Sequence, residues 1–537
     1  EKITMSATRL NIVISLIFAF LYHNTLWFKL YRIVDYKDLS SLFFYISFFI
    51  FIGSLCFLVL SLIALLPGYK WLLKLTIFSS AAAIYFIDYY GVYIDSGMIT
   101  NALETDTEET LDLVNIGFMF HMLFYGIIPS VILFFIKIEK NKSWLGILFK
   151  IMMPVAGLVV CITVVYLFYQ TYSSVMRNNK ELRYLIVPGN FIYGLGNIIH
   201  QKFKDDDGIF YTIAEDASLG ETWQHNKKPV LIFFIVGETA RAQNFSLSGY
   251  LRETNPKLSK KDIIYYTDVS SCGTATAVSL PCMFSKDGRK SFSSNKAKNS
   301  ENLTDIIRKV GFNVTWIDNN SGCKGVCERV TTIKMKEFED CFGEKCFDVS
   351  MLNRLNDLPL RNSAVFMHQM GSHGPAYYKR SPEELKKFFP ECTTNQLQNC
   401  THEEIVNTYD NSILYADHFI ASSIEYLESI SDTFTTALIY VSDHGESLGE
   451  NGLYLHGAPY MIAPEEQTHV PMLLWMSDEY KRLFQVNEDC LKAKSDNEFS
   501  HDNLFSSVLG MLDIKTKDSS SALDIFNSCK KIKYHYR

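Results

Sequence analysis

Charge is what this chain has least of. Only 20% of its 537 residues are Asp, Glu, Lys or Arg, against 48% hydrophobic, which excludes a disordered chain. The formal net charge is -7, and no basic segment stands out, which argues against a nucleic-acid partner. There is no internal repeat and no long low-complexity tract. Twelve cysteines are too few for a disulfide miniprotein, and none sits in the CxxC spacing a zinc ribbon needs. The first apolar run is not followed by a small-residue cleavage site, so it reads as a retained anchor. The chain opens at Glu1, and Met5 is the candidate native start.

What is there divides sharply. Mean hydropathy is +0.05, high for a chain this long, and the apolar residues are concentrated in the first 170 positions. Five runs are long enough to cross a hydrocarbon core, which takes roughly 20 helical residues. They lie at Asn11–Phe28, Ser41–Leu66, Trp71–Tyr90, Ile116–Ile136 and Leu145–Tyr169. Few ionisable residues lie mid-span, which argues against a channel or transporter. Lys70 and Lys74, and then Lys137, Lys140 and Lys142, mark two loops as cytoplasmic. The loop with Asp95, Glu104, Asp106, Glu108, Glu109 and Asp112 carries no Lys or Arg and reads as external. Lys29, Arg32 and Lys37 run against this pattern, and Asp35 and Asp38 partly offset them. Five spans with the N-terminus inside place everything after Tyr169 outside the cytoplasm.

The cysteines test that sidedness independently. Cys56 and Cys161 fall in spans, and the other ten lie beyond Val230. An even set in close pairs fits disulfides of an oxidising compartment. Spacing favours Cys272–Cys282, Cys323–Cys327, Cys341–Cys346 and Cys392–Cys400, leaving Cys490 with Cys529, although spacing alone does not fix connectivity. Between the membrane part (1–170) and the outer part (230–537) runs a connector over 171–229. Its aromatics Tyr172, Tyr184, Phe191 and Tyr193 mix with Arg177, Lys180 and Arg183, which suits helices on a membrane surface or an ordinary amphipathic connector.

From Val230 the chain alternates strands and helices. Strands are expected at Val230–Val236, Asn313–Ile317, Ser363–His368, Thr435–Ser442 and Val470–Trp475, with helices at Asn302–Val310 and Glu403–Ser429. Ser285–Ser300 reads as a loop. The alternation predicts a mostly parallel sheet covered on both faces, with its site beyond the carboxyl ends of the strands. Polar residues collect there: Glu238 and Arg241 after LIFFIV, Asp443 and His444 after TALIYV, His368 and His373 after AVFM, then His456. Carboxylate and imidazole at one sheet edge suit a zinc-type ion. In Cys272–Cys282, Gly273 permits a bend, and Thr274, Thr276 and Ser279 enter a helical stretch whose N-terminus favours phosphate oxygens. A Thr hydroxyl is a weak nucleophile that a metal can activate. Taken alone, the same segment also fits a Thr-rich helix cap.

The motifs VGETAR (Val236–Arg241), SCGTATAVSLPCMFS (Ser271–Ser285), DNNSGCKGVC (Asp318–Cys327), MGSHGP (Met370–Pro375) and SDHGESLGENGLYLHG (Ser442–Gly457) occur in this order. Together they resemble the bacterial phosphoethanolamine transferases, among them the lipid A enzymes and the mobile colistin-resistance proteins. The resemblance implies a five-span α-helical membrane domain joined to an α/β/α domain of the alkaline-phosphatase/sulfatase type. It implies Thr276 as nucleophile and Glu238, Thr276, Asp443 and His444 as ligands of one tightly bound Zn2+. His373 and His456 would serve a second zinc, or substrate and proton handling. Asn320, Ser321 and Lys324 would line a phosphoethanolamine pocket. Asn101, Thr105 and Glu109, at i, i+4 and i+8, would form a substrate-binding helical face.

The donor implied is phosphatidylethanolamine, the acceptor lipid A, and the location a Gram-negative inner membrane with the catalytic domain in the periplasm. A monomer is expected. Alternatives are a glycerophosphotransferase of the lipoteichoic-acid-synthase type, transfer to another envelope glycan or protein, a phosphatase or sulfatase, and a non-enzymatic receptor. Cys272 lacks the CxPxR-like context of a sulfatase nucleophile.

Overall fold

The computed structural model describes residues 3–34, 39–104, 110, 112–139, 143–205, 208–338, 341 and 346–530. Asp35, Lys37, Asp38, Thr105, Asp106, Glu108, Glu109, Lys140 and Lys142 lie outside them. The chain forms two compact units, Glu1–Ile99 with Glu108–Ile199, and Thr100–Thr107 with His200–Arg537.

The first unit is helical: α1 (Ala7–Leu21), α2 (Asn24–Ile33), α3 (Leu39–Leu65), α4 (Tyr69–Tyr90), α5 (Ser96–Glu104), α6 (Ile116–His121), α7 (Ile128–Ile132), α8 (Trp144–Leu167), α9 (Tyr169–Asn178) and α10 (Gly189–Asp205), where the residues of α5 from Thr100 and of α10 from His200 belong to the second unit. Among the described residues four helical spans are long and apolar enough to cross a membrane, or five if α1 and α2 count as one. The first apolar run is therefore not one straight helix. It is two helices bent by 56°, because the helix stops at Tyr22 and restarts after His23.

The span from Ile116 to Phe135 contains a π-helical segment at Met122–Ile127 between α6 and α7. Pro129 follows within α7 and has no N–H to give the Tyr125 carbonyl one turn earlier. The Tyr22 hydroxyl donates to that carbonyl, so the broken backbone bond is replaced by a side chain from α1's C-cap. Two three-residue strands, β1 (Ile3–Met5) and β2 (Ile136–Ile138), pair in parallel. Cys56 and Cys161 are buried free thiols, as expected.

The second unit is built on a seven-stranded sheet of β3 (Val230–Gly237), β4 (Ile263–Tyr266), β5 (Asn313–Asp318), β6 (Thr331–Lys334), β7 (Ser363–His368), β8 (Thr435–Ser442) and β9 (Met472–Met476). The order is β4-β9-β8-β3-β7-β5-β6. The five strands from β8 to β6 are parallel, while β9 runs antiparallel to both β8 and β4. Strand β3 is central and buried at all eight positions, which is why it reads as an unbroken apolar run.

Its alternate side chains serve two layers. Phe234 packs on Phe284 and Phe366, with ring centroids 5.2 and 5.5 Å away, beside Trp316. Phe233 faces the opposite way and stacks on Tyr426 of α13 (His402–Ser429) at 5.9 Å. Helices α11 (Thr276–Met283) and α12 (Leu303–Lys309) complete the Phe234 layer. The result is the expected α/β/α sandwich.

Helix starts follow the capping rules. Thr401 and Glu404 form a capping box at α13, and Asn302 with Asp305 forms one at α12. The stretch Ser285–Ser300, expected as a loop, holds two short helices at Gly288–Ser291 and Ser294–Lys298. The Ser293 side chain caps the second by accepting from Lys296 N, a local bond that a Lys/Ser composition conceals. Four disulfides join the pairs favoured by spacing, and the fifth joins the remaining Cys490 and Cys529.

Candidate functional site

Sheet register brings the polar residues together. Ser442 of β8 lies opposite Gly237 of β3, Val236 opposite His368 of β7, and His368 opposite Asp318 of β5. Four adjacent parallel strands therefore end level. The residues that follow, Asp443 and His444, Glu238, and Asn319 and Asn320, emerge at one edge.

Thr276 is the first residue of α11. The Cys272–Cys282 bond brackets that helix, and a Cβ on Gly273 would meet Ser279 N at 3.0 Å, so the tight turn needs glycine. Thr276 Oγ1 lies 3.2 Å from both carboxylate oxygens of Glu238 and 3.2 Å from His444 Nε2. Glu238, Asp443 and His444, all buried, offer ligand atoms within 4.8 Å of one another.

Surrounding bonds aim these atoms. Asn320 Nδ2 donates to Glu238 Oε2 at 2.8 Å, and Thr239 Oγ1 donates to Oε1 at 2.6 Å. The backbone N–H groups of Thr239 and His444 both donate to Asp443 Oδ1. Asp443 Oδ2 is buried and has no hydrogen-bond partner. His444 Nδ1 lies 2.9 Å from the Gly445 carbonyl, which fixes the proton there and turns Nε2 toward Thr276. An orphaned carboxylate oxygen beside an oriented imidazole, a second carboxylate and a hydroxyl is a donor set that fits a zinc-type cation. Cys272, Cys282 and Asp502 also lie close together, but the disulfide leaves no thiolate to bind metal.

The electrostatics point the same way. Burial alone would raise the Glu238 carboxyl, but hydrogen bonds from His368 and His444 hold it well below the usual range. Burial and the nearby Glu238 charge push Asp443 up. Burial would lower His444, yet Asp443 and Glu238 outweigh it and carry the ring to about 10. His368 is likewise carried to about 10 against burial by Asp318 and Glu238. Concentrated negative charge is thus drawing positive charge into a water-poor site.

The remaining expected residues fall nearby. The His456 ring centroid is 4.5 Å from that of His444 and 5.5 Å from that of His373. His456 Nδ1 lies 3.0 Å from Glu446 Oε2, and the Tyr377 hydroxyl donates to Glu446 Oε1. Lys324 sits in a left-handed turn (φ 49°) inside the Cys323–Cys327 loop. Its Nζ donates to the carbonyls of Ser321 and Glu104, at 3.3 and 3.0 Å. Ser321 N donates to Asn320 Oδ1. Asn101 lies on α5, whereas Thr105 and Glu109 are outside the described residues, so the one-face arrangement of that trio rests on sequence.

Sequence reasoning did not reach three residues. Asp318 bridges Trp316 Nε1 and His368 Nδ1, at 2.9 and 3.2 Å, and was present only as the first letter of a motif. Glu446, two residues after His444, was visible in SDHGES but had no assigned partner. His501 is buried, accepts from Cys272 N at 3.0 Å and faces the Ser442 carbonyl through Nε2 at 2.9 Å. It ties the nucleophile turn to the end of β8, and nothing in its local sequence signals this.

Two family models match the chain: a phosphoethanolamine transferase EptA/EptB model over residues 52–203 and a sulfatase model over 231–514. The phosphoethanolamine transferase EptA of Escherichia coli K12 is 40% identical over 500 residues, covering 90% of each chain. The phosphatidylethanolamine transferase Mcr-1 of Escherichia coli is 36% identical, covering 86% of this chain and 88% of that one. Among solved structures, the integral membrane lipooligosaccharide phosphoethanolamine transferase A of Neisseria meningitidis superposes with a TM-score of 0.93 at 33% identity. It covers 99% of this chain and 100% of its own.

Proposed function

Because the chain belongs to the phosphoethanolamine transferase family, we propose that it moves phosphoethanolamine from phosphatidylethanolamine to a lipid A phosphate through an ester on Thr276. The carrying observation is Thr276 Oγ1 at the start of α11, 3.2 Å from Glu238 and His444 and beside the Asp443 oxygen that takes no hydrogen bond. Glu238, Thr276, Asp443 and His444 would hold zinc. When bound, it supplies Lewis-acid stabilisation of charge on oxygen, an effect worth several kcal/mol.

The chain's own residues do the rest. Thr276 Oγ1 forms a bond to phosphorus as the bond from phosphorus to the diacylglycerol oxygen breaks. Oγ1 loses its proton, and His456, anchored on Glu446, returns one to the departing oxygen, so the proton count balances. The start of α11 and Lys324 meet the negative charge of the phosphoryl group, and Asn320 and Ser321 line its pocket. An acceptor phosphate oxygen then attacks the phosphorus, and Oγ1 leaves and is reprotonated. Asn101, Thr105 and Glu109 are assigned to the substrate, and His373 to a second zinc or to the proton path. The charge pattern of the loops and the five disulfides support a periplasmic catalytic domain on an inner-membrane anchor. Adding an amine to an anionic phosphate lowers attraction for cationic peptides, so expression should raise polymyxin resistance.

The test is intact mass of the purified protein after incubation with phosphatidylethanolamine. An adduct of about 123 Da is expected on wild type and none on Thr276→Ala. An equal adduct on Thr276→Ala would refute the nucleophile. An adduct from phosphatidylglycerol in place of phosphatidylethanolamine would replace the reading with glycerophosphate transfer, which the relatives do not favour.

A further inference from the structure

A groove of about 1120 Å³ opens at one end of the membrane unit, where the chain passes from α3 to α4 and enters α8. Three lysines line it: Lys70, Lys137 and Lys150. Among the described residues none of them is in an ion pair, and Glu139 is the one acidic side chain lining the groove. Lys70 Nζ donates only to carbonyls, that of Ile136 at 2.8 Å and that of Phe134 at 3.5 Å, so its charge is anchored without being neutralised.

The backbone adds to this field. Helices α1, α4 and α8, of 15, 22 and 24 residues, all begin at the groove, through Ser6–Ala7, Gly68–Tyr69 and Ser143. At α4 the N-cap is Gly68, which brings no side-chain oxygen to the helix's first N–H groups. Three positive dipole ends and three cations therefore face one cavity with a single acidic side chain. The wall also carries the exposed apolar side chains of Trp71, Leu145 and Phe149.

This end carries Lys70, Lys74 and Lys137, which the positive-inside rule assigns to the cytoplasmic leaflet. We propose that the groove is a binding site for an anionic diacyl glycerophospholipid. The phosphate would lie against Lys70, Lys137 and Lys150, and the acyl chains along Trp71, Leu145 and Phe149. A zwitterionic headgroup fits less well, because its ammonium would be repelled by the same charges. Basic pockets between spans at this leaflet are suited to such headgroups. The site is separate from the Thr276 chemistry and does not depend on it.

The test is native mass spectrometry of the full-length protein in detergent with equal amounts of dioleoyl phosphatidylglycerol and dioleoyl phosphatidylethanolamine. Wild type should retain phosphatidylglycerol preferentially. Lys137 and Lys150 are exposed, so Lys137→Gln/Lys150→Gln should fold normally and hold phosphatidylglycerol about 30-fold more weakly. Lys137→Arg/Lys150→Arg should keep the preference. Equal retention of the two lipids by wild type would overturn the proposal. So would an unchanged preference in the glutamine variant at an unchanged melting temperature.

Discussion

Replacing His501 by leucine should both destabilise the protein and slow it, because one ring holds two parts of the site together. In the folded chain His501 Nδ1 accepts from Cys272 N and Nε2 faces the Ser442 carbonyl. Leucine satisfies neither, and both backbone groups stay buried. Each unsatisfied buried group costs about 1–3 kcal/mol, so the expected loss is about 2–6 kcal/mol. The pH response gives a second reading.

Burial, with some help from the His444 charge, depresses the His501 pKa from 6.5 to about 3. The unfolded chain therefore binds a proton between those values that the folded chain refuses. Its contribution to stability is complete above pH 6.5 and is lost as pH falls toward 3, at about 1.4 kcal/mol per pH unit. Thermal melts of full-length wild type and His501→Leu across pH 4–8 separate the two. The wild-type curve should fall more steeply below pH 6.5, and the variant should lack that component. Turnover of the variant should drop because Cys272 precedes Thr276 in the same turn. Parallel pH curves, or a variant as stable and as active as wild type, would refute the reasoning.

Chelation with a strong zinc ligand should abolish adduct formation and lower the melting temperature, and added zinc should restore both. Retained activity in metal-free protein, confirmed by elemental analysis, would contradict the ligand assignment. Gly371→Ala should cost about 1–3 kcal/mol in a denaturation experiment and reduce metal content. Its φ is +53°, and a Cβ there would lie 2.6 Å from the Glu238 carbonyl. Asp524, lifted by burial to about 6, is a carboxyl whose folded pKa exceeds its unfolded value. Its contribution is favourable below about pH 4 and is lost as pH rises through 6, so Asp524→Asn should stabilise at pH 7 and flatten the melt profile between pH 4 and 6.

The legible parts of this protein were those where one physical demand acts on consecutive residues. Ser363–His368 and Thr435–Ser442 are fully buried and appear in the sequence as apolar runs with the same limits as the strands. The apolar run of β9 starts in the sequence at Val470, but pairing in the sheet begins at Met472. Val470 N instead bonds the Val269 carbonyl, a contact that hydrophobicity cannot distinguish. The break at His23 escaped for a related reason: both sides of it are apolar, and the bend is made by a short interruption.

In the site, strand-end ligands were visible because a polar residue directly after an apolar strand stands out. Glu446 stood beside a visible ligand, but its worth depends on Tyr377 and His456, which lie far along the chain. His501 acts through backbone groups of Cys272 and Ser442, and backbone partners leave no mark on composition. The Ser285–Ser300 helices were missed because a Lys- and Ser-rich stretch is equally compatible with both states until Ser293 supplies its cap.

Four of the five cystine bridges join residues separated by ten positions or fewer, and only Cys490–Cys529 spans a longer interval, of 39. With the proposed export of this domain, partners that close emerge from the translocation pore almost together. Each short bridge can then be made on the nascent chain, before a wrong cysteine is in reach. The frame around the nucleophile would thus be fixed early, while the last bridge waits for the end of synthesis. A cell short of thiol-oxidising capacity should therefore accumulate chains intact around Thr276 but unfastened at their C-terminal end, and proteolysis should begin there.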